Sequence, residues 1–211
     1  FPTDHSFYLR STYGSNSAFD VHSYWSDTSE GDFGKVGILA EIYYRQTDGF
    51  RTIDAGKGYA GSDETGFDLM EPMVKLFWEP NSDVYQRFEF KWGTTEFEAD
   101  ETYAGLTEAD IAANPRRRYA GTFLDHMSTE HTRTYLKYLV EPTDNLTIQV
   151  AVYYNEFERD WYKINKAGGQ SVSKVVADPI TYAAAYDDLR LLGVGSLGIK
   201  HDSRGYHSKG V

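Results

Sequence analysis

The sequence predicts an all-β protein: an antiparallel up-and-down meander from a transmembrane β-barrel, with about seven or eight strands and long outer loops that carry short helices. Three observations predict it. Hydrophobicity recurs with period two, not 3.6. Tight turns alternate along the chain with long excursions. Among 17 Tyr, 12 Phe and 4 Trp, Tyr13, Trp25, Tyr43, Tyr44, Trp78, Trp92, Tyr138, Tyr153, Tyr154, Trp161 and Tyr162 fall at strand ends, where a barrel has its interfacial girdles.

Taken in order, weaker strands fall at 7–13 and 19–25. The clearest strand is 35–45, where Val36, Ile38, Ala40, Ile42 and Tyr44 share one side. Lys35, Gly37, Leu39, Glu41, Tyr43 and Arg45 take the other. A weaker strand at 69–78 contains Pro72, which removes a ladder bond and predicts a bulge or a late start. In 84–97, Phe88, Phe90 and Trp92 oppose Arg87, Glu89 and Lys91. In 130–140, Leu136, Tyr138 and Val140 oppose His131, Arg133 and Lys137, and in 146–154, Leu146, Ile148, Val150, Val152 and Tyr154 share a side. Ser29 to Asp32, Glu79 to Asp83 and Glu141 to Asn145 consist of turn formers. The latter two repeat a Glu-Pro pair followed by small polar residues. The excursions run from Gln46 to Gly66, from Ala99 to Glu130 and from Asn155 to about Lys209. Thr107-Glu108-Ala109-Asp110 reads as a capping box with Asp for Glu, ended by Asn114-Pro115. Asp178-Pro179 reads as an N-cap with Pro at the first helical position. The chain forms one unit, residues 1–211.

Composition removes several function classes. Acidic residues outnumber basic ones 32 to 21, for a formal charge of −11, against a nucleic-acid partner. The absence of Cys removes disulfides, thiolate metal sites and a Cys nucleophile. No apolar run has the length of a membrane helix, which leaves a strand-built span open. Phe1-Pro2-Thr3-Asp4 starts abruptly, as a mature or excised chain would.

Two segments, Gly56 to Gly61 and Gly193 to Gly198, match G-x-G-x-x-G without the strand-then-helix context that a dinucleotide site needs. Arg116-Arg117-Arg118 is the strongest candidate ligand site, because guanidinium forks match carboxylate and phosphate oxygens; Arg51, in the preceding loop, ranks below it. A solvated charge cluster, or a contact to lipopolysaccharide phosphates, is the alternative. His126, His131, His201 and His207 match no zinc spacing and read as exposed loop histidines, so no metal is assigned. Asn145-Leu146-Thr147 matches a glycosylation sequon at a tight turn. Carboxylates are abundant, but nothing singles out a catalytic pair. No G-x-S-x-G, Walker lysine or H-E-x-x-H occurs.

The order of several stretches resembles TonB-dependent outer-membrane receptors of the ferric-citrate and ferric-siderophore branch. They are Tyr103 to Asp110, Arg118-Tyr119, Leu139-Val140-Glu141-Pro142, Tyr153-Tyr154-Asn155, Trp161-Tyr162-Lys163 and Asp202 to Val211. The resemblance covers nearly the whole chain. It implies a binding and transport protein rather than an enzyme, importing a ferric chelate from an outer-loop pocket, with Arg116, Arg117, Arg118 and Arg51 contacting an anionic chelate and no resident cofactor. Implied partners are outer-membrane lipid and lipopolysaccharide, the plug and remaining strands, and the energy-coupling protein. The family's barrel has about 22 strands, so the chain looks like the N-terminal third of one, without plug or terminal aromatic. Two other readings stay open: a complete small outer-membrane barrel acting as an adhesin or structural protein, and a soluble secreted β-sandwich that binds carbohydrate.

Overall fold

Period-two alternation becomes long antiparallel strands. They are β1 (Ser6–Tyr13), β2 (Phe19–Gly31), β3 (Gly34–Thr47), β5 (Phe67–Glu79), β6 (Tyr85–Ala99), β8 (His126–Thr143), β9 (Leu146–Ala167) and β11 (Leu197–Gly210). Short strands β4 (Thr52–Ile53), β7 (Arg117–Arg118) and β10 (Gln170–Ser171), with helices α1 (Glu108–Ala113), α2 (Val172–Ala177) and α3 (Ala183–Leu191), lie in the connections. The structure is a computed structural model that describes residues 5–100, 102–193 and 195–211. The Phe1-Pro2-Thr3-Asp4 start, and Val194 of the second glycine motif, lie outside the described residues.

Every long strand pairs antiparallel with its sequence neighbour, in the order β1-β2-β3-β5-β6-β8-β9-β11, with β10 beside β9. Each of β1 and β11 has one partner strand among the described residues, so the sheet ends in two edges. The register sets the ends. Turns at Asp32–Phe33, 80–84 and Asp144–Asn145 lie together. The 14–18 turn and the three long connections lie at the opposite end.

Register also fixes facing, since directly paired residues share a side. Ile38 pairs with Leu76, Leu76 with Phe90, Phe90 with Leu136, and Leu136 with Val152. Val36, Ile42, Phe88, Ile148 and Val150 fall on this same side. It is the exposed side: Leu136 is 52 % exposed and Val152 49 %. The opposite side is polar yet shielded, with Glu89 only 8 % exposed. There Arg87 donates to Glu79 at 2.6 Å and to Glu89 at 2.8 Å, and Lys137 reaches Glu89 at 2.6 Å. At the short-turn end of the apolar side, Trp78, Phe88 and Tyr138 stack in a row.

Three expectations need correction. The excursion from Asn155 is strand for thirteen more residues, to Ala167, and β11 begins at Leu197, so the loop is 168–196. The outward side of β9 turns from Val152 and Tyr154 to Glu156, Glu158 and Asp160; strand continues where hydrophobicity stops. Pro72 causes neither bulge nor late start. The β5–β6 ladder lapses at Glu71 and Pro72 and resumes in the same register at Met73 opposite Gly93. The third helix starts at Ala183, not Pro179. Asp178 ends α2, and its carboxylate accepts from the Thr181 amide at 3.0 Å, capping a turn instead. Only the N-cap half of the capping box at Thr107 forms: its hydroxyl accepts from the Asp110 amide, while its own amide donates to Tyr119 Oη at 2.9 Å instead of to the Asp110 carboxylate, and α1 stops at Asn114.

Candidate functional site: the loop cap

The three long connections fold onto one another. Ala104, Tyr119, Ile164, Ala167, Val172, Val175, Ala185 and Leu189 form a buried cluster contributed by the 100–125 connection, the head of β9, α2 and α3. The 48–66 connection joins through close backbone approach. A Cβ on Gly56 would lie 2.8 Å from Ala120 Cβ, and the Lys57 amide donates to the Leu191 carbonyl at 2.8 Å. The first glycine motif therefore serves packing, without the following helix that a nucleotide site needs.

Asp110 is the polar centre of this cap. Its Oδ2 accepts from Tyr119 Oη at 2.7 Å, Thr107 Oγ1 at 2.8 Å and Tyr186 Oη, and its Oδ1 from Arg117 Nη1 at 2.9 Å. Burial alone would raise the Asp110 carboxyl; the hydrogen bonds from Tyr186, Tyr119 and Thr107 and the Arg117 charge outweigh it and hold it low. Burial comes first in raising the Tyr119 hydroxyl above its ordinary range, so it stays a donor. Arg117 continues the network to Asp54, at 2.8 Å from Nε and 2.5 Å from Nη2. Asp125 is a second anchor. Only 4 % exposed, it accepts from the amides of Tyr103 at 3.0 Å and Ile164 at 2.5 Å, and burial pushes its carboxyl up to about 6.

The four arginines selected from sequence do come together. β4 and β7 pair in parallel, Thr52 beside Arg117 and Ile53 beside Arg118. The ribbon is closed by bonds from the Thr52 amide to the Arg116 carbonyl and from the Asp54 amide to the Arg118 carbonyl. Alternation puts Arg117 on one side, with Asp54, and Arg116 and Arg118 on the other. Arg118 Nη1 donates only to the backbone carbonyls of Pro115 and Arg117, at 3.2 and 2.5 Å. Arg51 lies against Phe50 and donates to Thr102 Oγ1 at 3.4 Å. Burial, then the neighbouring Arg51 charge, lowers Arg118 from its ordinary value. Arg116 is exposed.

A cavity of about 970 Å³ opens between residues 103–109, α2 and the head of β9. Its wall is largely apolar, with Leu106, Ile164, Val172 and Val176, and carries Lys163 and Glu108 as charged groups. Lys163 Nζ sits 3.9 Å from the Trp161 ring centre, and Trp161 meets the Tyr103 ring edge-on. The four histidines expected in loops lie in strands, His126 and His131 in β8 and His201 and His207 in β11, because both strands run further than their hydrophobic stretches; His126 pairs with Asp100 at 3.0 Å, His131 meets Phe157 edge-on, and His201 stacks on Tyr162. Among the described residues, no three His, Asp or Glu side chains converge as a metal site would.

Sequence reasoning missed Asp54, Asp110, Asp125 and Tyr186 as a group. Only the capping box gave a local signal, and it marked Asp110 as a helix residue. Comparison with family models, curated proteins and solved structures finds no match to this chain.

Proposed function

We propose that the chain is part of an outer-membrane transporter of the TonB-dependent type, which binds a ferric chelate at its loop cap and imports it. One observation carries the membrane part. An apolar band crosses the exposed side of the eight-strand meander from β1 to β9, giving way to Glu96, Glu130, Glu156 and Glu158 toward the long connections, while the opposite side is polar and internally ion-paired. Water as the only solvent disfavours that inversion, and hydrocarbon favours it. Short turns at one end and long connections at the other fit the two faces of an outer membrane.

The transport part rests on the resemblance of the motifs from Tyr103 to Val211 and on the cap. Its cavity falls in the size range of small-molecule sites. The plug, the remaining strands and the energy-coupling protein would be supplied by other parts of the assembly. No residue is assigned a catalytic role. The secreted-sandwich reading is weaker, because among the described residues no second sheet covers the apolar side.

The test is fractionation and binding. The chain's parent protein should partition with outer membranes, and purified protein should need detergent to stay dispersed. Ferric citrate and ferric catecholate probes, titrated against it, should quench Trp161 fluorescence. Solubility without detergent would remove the membrane reading. Membrane partition with no response to any ferric probe would remove the chelate and keep the barrel.

A further inference from the structure

The ribbon made by β4 and β7 divides four arginines into two kinds, and that division carries a site of its own. Arg117 is spent on Asp54 and Asp110. Arg51, Arg116 and Arg118 form no ion pair among the described residues, in a chain of charge −11. Each guanidinium has five N–H donors. Among the described residues, Arg51 uses one on a hydroxyl and its buried Nε has no partner, and Arg118 uses only Nη1, on backbone carbonyls. Like charges this close cost free energy unless something neutralises them. Of the cap's buried carboxylates, Asp110 goes with Asp54 to Arg117, while Asp125 and Asp188 accept from backbone amides.

We propose that Arg51, Arg116 and Arg118, on the side of the β4–β7 ribbon turned away from Asp54, form a receptor for a phosphomonoester dianion. A single carboxylate offers one fork and one charge. A phosphomonoester offers three strong acceptor oxygens and a charge between about −1.5 and −2 near neutral pH. Three guanidiniums on one side of the ribbon offer forks for those oxygens, and the Arg117 network holds the ribbon that presents them. The site does not depend on the transport reading, since it needs only the cap. The phosphate can be free or carried on a lipid; the chemistry is the same.

The experiment uses the full chain in detergent micelles at low ionic strength, titrated calorimetrically with inorganic phosphate and, separately, with citrate. Phosphate should bind, weaken with added salt, and bind at least tenfold more weakly to Arg51→Gln/Arg118→Gln. Arg116→Gln, an exposed side chain, should also weaken it with the cap intact by near-ultraviolet circular dichroism. Arg118→Lys should not restore full affinity, because an ammonium lacks the fork. Vesicles containing phosphatidic acid, against vesicles of phosphatidylglycerol, separate the sources: capture by the first alone, competed by free phosphate, assigns the lipid. Binding of phosphate without vesicle capture assigns the free ion. Citrate binding without phosphate binding, no heat with phosphate, or unchanged affinity in both glutamine variants would each overturn the proposal.

Discussion

The meander and the cap solve opposite solvent problems with one chain. In the meander, Ile38, Leu76 and Leu136 face out, while Arg87, Glu89 and Lys137 neutralise one another on the shielded side. In the cap, apolar Tyr119, Leu189 and Val175 are fully buried around a hydrogen-bonded carboxylate, as in any water-soluble core. β9 crosses between the two regimes. Val150, Val152 and Tyr154 on its outward side give way to Glu156, Glu158 and Asp160 with no break in strand. The ladder is therefore held by backbone pairing throughout, and only side-chain chemistry records where the solvent changes.

If the two regions are stabilised separately, they should break separately. The largest effect is expected from Asp110→Ala, which strips Tyr119, Tyr186 and Thr107 of their shared acceptor and leaves Arg117 with Asp54 alone. Removing one member of such a buried charged network costs about 3–5 kcal/mol. Protease should then cut within 103–119 and 172–191 while the ladder keeps its resistance to denaturant. Equal loss in both regions would merge them into one cooperative unit.

The next effect belongs to the meander. Ile38→Lys should cost roughly 2–4 kcal/mol in lipid near the bilayer midplane, and Tyr43→Lys, on the polar side, much less. Refolding titrations into vesicles measure both, and equal costs would show that the outward side does not meet hydrocarbon.

Asp125 sharpens the comparison by pH. Its folded pKa of about 6 lies above the ordinary 3.8, so the protonated form is favoured by folding. The contribution is fully present below about pH 4 and is lost as pH rises through about 6, an amount of at most about 3 kcal/mol. Cap protection against protease should therefore fall between about pH 4 and 6, and Asp125→Asn should flatten that profile. A profile unchanged by the substitution would assign the titration elsewhere. The smallest effect is Thr107→Ala, loss of an N-cap worth about 1 kcal/mol, read as faster hydrogen exchange confined to α1; exchange quickened across the whole cap would mean that Thr107 supports more than its helix.

What was legible followed from period. Strands, turn ends and facing could be read because residues such as Val36, Ile38 and Ile42 must share a solvent. The extension of β9 could not, since Glu156 and Glu158 alternate with Phe157 and Arg159 in a way that a charged loop also allows. Pro72 was over-read: loss of one donor interrupts a ladder without moving its register. The cap network was illegible for a different reason. Asp54, Asp110 and Tyr186 are separated by long stretches of chain, and no local pattern tells which distant carboxylate a guanidinium will meet. Arg51 and Arg118 were selected by charge alone, and the ribbon that joins them rests on two-residue strands that carry no periodicity.

The continuation of β9 beyond Tyr154 has a consequence for height. Thirteen residues, 155–167, rise about 44 Å along the strand at about 3.4 Å each, or about 30 Å vertically at a tilt of about 45°. On an outer membrane the head of β9, with the cap residues Ile164 and Ala167 on it, would rise about 30 Å above the apolar band at Tyr154, past the headgroups and into the coat of surface sugars. Large molecules would touch the cap before any lipid. Gly58, with open space around it, is the natural perch for an inserted epitope, and antibody should find it on intact cells.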